Sequence, residues 1–521
     1  MKRSLYWSFL IGIVVLGAFF RFYNLDSIPP GLYPDEAIKG NEGWQAANNG
    51  DFKIFYPDNN GREGLWINLI GIFLKIFGHD IVSIRLLPAL IGTLTILAIW
   101  LLTKELFTQE RIALWSSFFL ATGFWHINFS RIGFRAILVP FLLSLTFGFL
   151  LKGLKTNKFW PFVLAGISFG IGFHTYIAFR FIPLLLIIFL LAWWWQEKGS
   201  LKPSGCSLCF KVLLFLAVTF IVALPIGLYF LQNPQDFFGR ATDVSIFSSS
   251  NPLKAFVWST VKTLGQFNIV GDHNWRHNYS GRPELLIPVG IFFLIGLLST
   301  IKRLLKRIPD QTQPLSTHAF LLSGFLIMML PSSLTSEGVP HALRTIGMIP
   351  FAMIFAGVGF EAFYQWLLSL QKRGMALLSI KITMVVIIIA IASFEFHKYF
   401  LNWAKRNEVK DAFSNYFVQI GRELKTQPAD FTKYVIVNQG GVLVNGVPMP
   451  AQTVIFEAHD TPNVVYINED QIPSIKLDDK SVIIPLHFNK EIQKEMENIF
   501  GKIFIRTTLN NVFVVSLPND K

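Results

Sequence analysis

Long apolar runs, each about one bilayer thick, alternate with short polar segments through the first three quarters of the chain. A helix that crosses a bilayer needs roughly 20 apolar residues. The pattern predicts eleven transmembrane helices, at 5–22, 81–103, 111–130, 136–151, 159–175, 178–195, 211–231, 285–301, 318–333, 345–369 and 375–394. The first follows Met1-Lys2-Arg3 and has no small-residue cleavage site behind it, so it reads as a span and not as a signal peptide. Gly64–Gly78 is apolar but short and carries Asn68 and Lys75, which suits a helix lying at the membrane surface.

Beyond residue 394 the periodicity changes. Residues 403–425 read as an amphipathic helix and Asn489–Phe500 as a charged surface helix. Tyr434–Asn438, Thr453–Glu457, Val464–Ile467, Val482–Leu486 and Val512–Leu517 read as strands. The expected architecture is an α-helical polytopic membrane protein, with a transmembrane domain at 1–394 and a small C-terminal α/β soluble domain at 395–521. No nucleotide-binding fingerprint appears in that tail, since Gln439-Gly440-Gly441 is too short to be one.

Composition agrees: 52% of the 521 residues are hydrophobic and only 15% charged, where a soluble domain carries about 25%. The pI near 9.5 raises the question of nucleic acid. The charge distribution answers it. Residues 395–521 hold 14 Lys+Arg and 15 Asp+Glu, so the other 32 basic and 18 acidic residues lie in the apolar part. A basic excess among membrane spans reports orientation, not a nucleic-acid partner. With the N-terminus cytoplasmic, the inner segments gather Lys2, Arg3, Lys104, Arg111, Lys152, Lys155, Lys158, Lys198, Lys202, Lys211, Lys302, Arg303, Lys306, Arg307, Lys372 and Arg373. Counting Gly64–Gly78 as a span would place these outside, against the positive-inside rule. The reading is therefore a multi-pass plasma (inner) membrane protein whose loop 23–63 and tail 395–521 are extracytoplasmic. The loops near 131–135, 174–178, 232–283 and 334–344 fall on the same outer side.

Polar chemistry collects there. The first loop carries Asp26, Asp35, Glu36, Glu42, Asp51, Asp58 and Glu63. Within it, Tyr33-Pro34-Asp35-Glu36-Ala37 offers a carboxylate able to accept a proton from an attacking hydroxyl. The same residues also suit an ordinary helix start, where carboxylates complement the N-terminal dipole. Arg62, Arg131, Arg135, Arg180, Arg240, Arg276, Arg282 and Arg344 lie in or beside outer loops, against the positive-inside trend. Guanidinium is the group for bidentate phosphate contacts, and snorkelling to lipid headgroups is its plainer use. His174, Tyr176, His273, Arg276, His277 and His341 are candidates to touch substrate, the densest stretch being Asp272-His273-Asn274-Trp275-Arg276-His277-Asn278. A solvated substrate-facing loop accounts for that stretch better than a metal site. The lone Cys206-Ser-Leu-Cys209 reads as two incidental thiols. No metal or cofactor is therefore expected, a divalent ion being the exception to watch for.

These residues resemble the bacterial protein O-mannosyltransferase-like and aminoarabinose-transferase-like family of the C-type (GT-C) glycosyltransferase superfamily. The resemblance rests on Pro30-Gly31-Leu32-Tyr33-Pro34-Asp35-Glu36-Ala37, Gly61-Arg62-Glu63-Gly64, Phe77-Gly78 and Ser83-Ile84-Arg85-Leu86-Leu87-Pro88. It continues in Ser130-Arg131-Ile132-Gly133-Phe134-Arg135, the Asp272–Asn278 run and Pro340-His341-Ala342-Leu343-Arg344, and spans roughly residues 1–395. It implies a GT-C type fold and a polyprenyl-phosphate-sugar donor. It also implies an inverting transfer of a hexosyl or pentosyl unit to a lipid, glycan or protein acceptor at the outer face. It implies a catalytic loop within 23–78, Asp35 and Glu36 at the catalytic centre, and donor-phosphate contacts from Arg62, Arg131, Arg135 and Arg344. The chain departs from the protein O-mannosyltransferases in its C-terminal domain, which leaves mannose and a protein acceptor open. The alternatives are a lipid-linked glycan flippase or transporter, and a glycan polymerase or ligase. The first would want charges at mid-membrane and a broken-helix repeat, neither of which the sequence has.

Overall fold

The structure, a computed structural model, describes residues 3–197, 205–237, 245–306, 315–371 and 376–518. Arg240, Lys2, Lys198, Lys202, Arg307, Lys372 and Arg373 from the readings above lie outside the described residues. The chain divides into two compact units. One comprises residues 1–25, 63–66 and 85–403, the other 26–62, 67–84 and 404–521.

The first unit is helical. Nine helices among the described residues are long and apolar enough to cross a membrane, and the chain is a multi-span membrane protein. They include α1 (Arg3–Phe22), α4 (Ile81–Leu106), α7 (Leu138–Thr156), α10 (Gly205–Gln232) and the span Ile177–Trp194, most of which is α9 (Ile182–Glu197). The remaining two expected spans are also helices, but shorter. The 111–130 run is broken at Gly123 into α5 (Glu110–Thr122) and α6 (Phe124–Phe129), and the 159–175 run is α8 (Phe159–Gly172).

Small residues set the closest helix contacts, as expected where lipid gives no hydrophobic drive to associate. A Cβ on Gly296 would meet the Phe355 carbonyl oxygen at 1.9 Å, and one on Gly359 would meet that of Phe292 at 1.9 Å. The helices Ile287–Leu305 and Ile349–Leu370 therefore touch backbone to backbone. Arg111 grips the buried Glu361 with Nε and Nη2, at 3.1 and 2.6 Å.

The second unit holds α2 (Pro34–Asn49) and the tail. Two-residue strands β1 (Phe55–Tyr56) and β2 (Arg62–Glu63) pair across the Asn59-Asn60-Gly61 turn, whose residues all have positive φ. Gly61 is required there twice, by its φ of 75° and by the Phe55 ring, 2.6 Å from where a Cβ would stand. The tail adds β3 (Thr432–Val437), β4 (Leu443–Val444), β5 (Val447–Pro448), β6 (Val464–Asn468), β7 (Ser481–Pro485), β8 (Phe504–Thr507) and β9 (Phe513–Ser516). A five-stranded sheet runs β6-β3-β7-β9-β8. Its β3 pairs with β6 and β7 in parallel, whereas β9 runs antiparallel between β7 and β8. Residues Asn415–Thr426 and Lys490–Phe500 are amphipathic helices that bury Leu424 and Met496 in two apolar clusters.

Two expectations for the tail are corrected and one strand is added: the 403–425 helix is broken at Ser414, whose φ is 53°, into Asn407–Ala412 and Asn415–Thr426. Thr453–Glu457 is not a strand; Gln452–Glu457 is a helix, entered through Met449-Pro450-Ala451 in 3₁₀ form. A short buried apolar run reads alike in either state, and here the preceding proline sets a helical entry. Strand β8 went unread because its exposed edge sequence, Phe-Ile-Arg-Thr, lacks an apolar face.

Within this unit the first loop and the tail interlock. Asn41 Nδ2 donates to the Gln452 carbonyl and Oε1 at 3.1 and 2.9 Å, and Thr453 Oγ1 donates to the Leu32 carbonyl at 2.8 Å. Gly31, with φ of 81°, lies where a Cβ would stand 2.5 Å from the Phe413 carbonyl oxygen. Gly40 makes room for the Phe456 ring, 2.6 Å from where its Cβ would be.

Candidate functional site

The sequence placed an acidic pair and several guanidinium groups in outer loops, and each unit holds part of that set. In the second unit, Tyr33 is extended at the N-cap of α2 and Pro34 opens the helix with its fixed φ. Asp35 and Glu36 fall in the first turn, where the helix dipole favours negative charge. Glu36 is fully buried, whereas Asp35 is half-buried. Asn59 Nδ2, on the β1–β2 turn, donates to Asp35 Oδ1 at 2.6 Å. Lys39, one turn along, donates to the Asp35 carbonyl at 2.6 Å. Arg62 is buried, with Nη2 on Glu42 Oε1 at 2.7 Å and Nε on the Asp58 carbonyl at 3.1 Å. Burial pushes the Glu42 carboxyl up, against the pull of Arg62.

In the first unit, Glu63 and Arg135 form a buried pair, Nε to Oε2 at 2.9 Å, and Arg135 Nε also donates to the Thr175 carbonyl at 3.0 Å. Arg180 approaches the other Glu63 oxygen at 3.7 Å, and the Tyr176 ring lies under the Arg135 guanidinium. His174 bonds the Val222 carbonyl through Nε2 at 2.9 Å.

Asp272 is the hub of a second cluster. Its Oδ1 accepts from the Asn274 amide at 2.8 Å. Its Oδ2 accepts from the Ala342 amide at 2.9 Å and lies 3.0 Å from His277 Nδ1. His341 Nδ1 is 3.8 Å from the same oxygen. Burial alone would raise the Asp272 carboxyl; the His277 bond and the charges of His277 and His341 outweigh it and hold it below its ordinary value. Burial lowers His277, the Asp272 bond opposing, and burial holds Glu284 well above the usual carboxylate range. Glu284 Oε1 accepts from the Asp272 amide at 3.0 Å. Arg344 donates through Nη1 to Thr335 Oγ1 and the Glu337 carbonyl at 2.6 and 2.9 Å, and Arg276 folds back on Asn274. His273 is exposed.

The family model described as dolichyl-phosphate-mannose-protein mannosyltransferase matches residues 65–224. No curated protein matches the chain by sequence. Among solved structures, ArnT from Cupriavidus metallidurans bound to undecaprenyl phosphate is 12% identical, covering 100% of this chain and 99% of its own, with TM-score 0.62. The same protein in the apo state gives TM-score 0.57 at 12% identity, covering 99% of this chain and 98% of its own. The archaeal oligosaccharyltransferase AglB from Archaeoglobus fulgidus, in complex with an inhibitory peptide and a dolichol-phosphate, is 13% identical. It covers 99% of this chain and 75% of its own, with TM-score 0.55.

The chain has the GT-C fold. The superfamily resembled by the motifs between Pro30 and Arg344 is the one these matches return.

On the GT-C scaffold the predicted site residues separate by use. Asp35 stands at a helix start with a side-chain partner that sequence reading missed, Asn59. The signal for it was the Asp58-Asn59-Asn60-Gly61 turn, which has to fold back on something. Arg131, expected at the donor phosphate, is engaged inside the fold. It is fully buried, with Nη1 on the Phe20 and Arg21 carbonyls at 3.0 and 2.7 Å and Nη2 on those of Tyr23 and Asn24 at 2.7 and 3.2 Å. Four Nη hydrogens on four carbonyls at and just beyond the C-terminus of α1 make this side chain a helix cap. The missed residues of the Asp272 cluster are Ala342, through its backbone amide, and Glu284, whose neighbours lie too far along the chain for sequence spacing to show.

Proposed function

We propose that this protein moves a sugar from a polyprenyl-phosphate-linked donor to a lipid, glycan or protein acceptor at the outer face of the membrane, with inversion. One observation carries the reading. Asp35 is presented, half-buried, at the first turn of α2 in the first loop of a chain that matches a GT-C fold along its whole length. Lipid phosphates bound in two of the similar structures support a donor of that class.

The step needs little from the protein. The acceptor hydroxyl attacks the anomeric carbon, and Asp35 takes its proton as the bond to carbon forms. The carbon–oxygen bond to phosphate breaks, and the polyprenyl phosphate leaves as an anion. Guanidinium groups stabilise that charge as it develops. Arg135, Arg180 and Arg344 are the donor-phosphate candidates, while Arg62 serves Glu42. Asn59 positions the Asp35 carboxylate through Oδ1. His174, Tyr176, His273, Arg276, His277 and His341 remain substrate-contact proposals. So do the cytoplasmic N-terminus and the extracytoplasmic tail, which a reporter fused after residue 521 tests by its compartment.

Purified protein, incubated with a panel of polyprenyl-phosphate sugars, is expected to release polyprenyl phosphate from one of them. The Asp35→Asn protein should not. Release that is unchanged in Asp35→Asn, or absent with every donor while an acceptor extract is present, overturns the proposal.

A further inference from the structure

The sheet of the tail has one face that its helix does not finish covering. Side chains alternate across a strand. The pairs Phe504–Ser516 and Arg506–Val514 therefore put Phe504 and Arg506 of β8 on the same face as Val514 and Ser516 of β9. The register of Ile483 with Val515 adds Val482 of β7 to that face. Leu424, near the end of the helix Asn415–Thr426, shares an apolar cluster with Val482 and Val514. The helix ends at Thr426. Next to its last turn lies a cavity of about 170 Å³, lined by Gln427, Asp478, Asp479, Phe504, Arg506 and Ser516 among others. The Phe504 ring is left 57% exposed there.

Both walls are held in place before any ligand arrives. Glu423 Oε1 accepts from Gln427 Nε2 at 2.7 Å and from Arg506 Nη2 at 2.9 Å, which ties the helix end to the edge strand. Opposite them, the turn Asp478–Ser481 closes on itself. The Asp478 amide donates to Ser481 Oγ at 2.6 Å, and that hydroxyl donates to the Asp478 carbonyl at 2.9 Å. The Lys480 amide donates to Asp478 Oδ1 at 3.0 Å. Ser481 is buried, while Asp478 and Asp479 are exposed at the rim.

Charge and shape select the ligand. Glu423 offsets Arg506, so Asp478 and Asp479 leave the site net negative. A phosphate or a uronic acid is rejected by like charge. Hydroxyl groups are welcome, because carboxylates accept strong charge-assisted bonds from them. The exposed Phe504 ring gives a flat apolar surface for the C–H face of a sugar. The volume falls below the roughly 300–1,000 Å³ of pockets for drug-sized ligands, and suits one ring. We infer that this pocket binds one uncharged sugar unit of a glycan chain. That the held glycan is the acceptor rests on the proposed transfer; the binding itself does not.

The test uses the full-length protein in a detergent without a sugar head group. Saturation-transfer NMR is run with the methyl glycosides of glucose, galactose, mannose, N-acetylglucosamine and arabinose, and with that of glucuronic acid. At least one neutral glycoside should bind, and the glucuronide should not. Phe504→Ala and Asp479→Asn should weaken that binding by at least about tenfold, the worth of one charge-assisted contact. Asp35→Asn should leave it unchanged, which separates this pocket from the reaction centre. No binding by any neutral glycoside, equal binding in Phe504→Ala, or preference for the glucuronide overturns the site. So does binding of a lysine tripeptide with none of the glycosides. In the transfer assay, Phe504→Ala should need about tenfold more acceptor extract for half-maximal release of polyprenyl phosphate, with the same maximum. An unchanged requirement overturns the acceptor role alone. Glycoside binding with no release from any donor leaves the pocket standing and removes the proposed function.

Discussion

Asp35 and Asp272 are both aspartates of polar loops, and the structure treats them in opposite ways. Asp272 is buried, and its carboxylate takes backbone amides from Asn274 and Ala342 as well as the His277 imidazole. Asp35 is half-buried at the start of a helix, and a side-chain amide, Asn59, holds it. A carboxylate bound by backbone is fixed by the fold. One held by a side-chain amide at a helix start is placed by the turn that carries that amide. The difference teaches that polar density in a sequence locates loops worth examining but does not rank the residues in them.

That contrast can be broken by experiment. Asp35→Asn should cost roughly 10²–10⁴-fold in transfer rate, the usual worth of a positioned base, with no change in melting temperature. Asp272→Asn should do the reverse to stability, losing about 1–3 kcal/mol as buried donors face an amide. A fall in melting temperature for Asp35→Asn, or none for Asp272→Asn, would erase the distinction. The arginines sharpen it further. Arg131→Ala should lower stability by about 1–3 kcal/mol for each buried carbonyl stranded at the end of α1, with the donor KM unmoved in whatever protein folds. Arg344→Ala should raise the donor KM about tenfold, the worth of one charge-assisted contact near 1.4 kcal/mol, without a stability loss of that size.

The smallest expected effect concerns pH. His79 is stacked on Phe456 and His459, with ring centroids 4.2 and 3.5 Å away. Neither of its nitrogens has a hydrogen-bond partner among the described residues. Burial and then the neighbouring His459 pull it down to about 4 from an ordinary 6.5. The unfolded chain therefore takes up a proton near pH 6.5 that the folded chain refuses until about pH 4. Stability is complete above pH 6.5 and drains away as pH falls towards 4. His79→Phe should flatten that slope by a few degrees in melting temperature, and an unchanged slope would place the acid sensitivity elsewhere.

Much of the fold was legible in the sequence because membrane spans announce themselves: all eleven apolar runs are helices, and Gly64–Phe77 is a short apolar helix. The broken run at Gly123 shows the limit, since an apolar stretch does not say where it bends. Thr453–Glu457 failed for a different reason. Its helical entry at Pro450 is backed by contacts with α2, more than 400 residues earlier, such as Asn41 with Gln452. The candidate site was legible at the level of loops. The Pro34-Asp35-Glu36 turn could be read directly, because proline and carboxylates mark a helix start locally. The role of Arg131 could not, because only the fold brings four carbonyls of α1 and the turn after it to a side chain about 110 residues away.

The interlock of Leu32 with Thr453, and of Asn41 with Gln452, also dictates an order of assembly. A ribosome delivers the helix bearing Asp35 early and the segment that braces it almost last. Until that segment emerges, Leu32 and Asn41 stand without the partners that hold them in the finished unit.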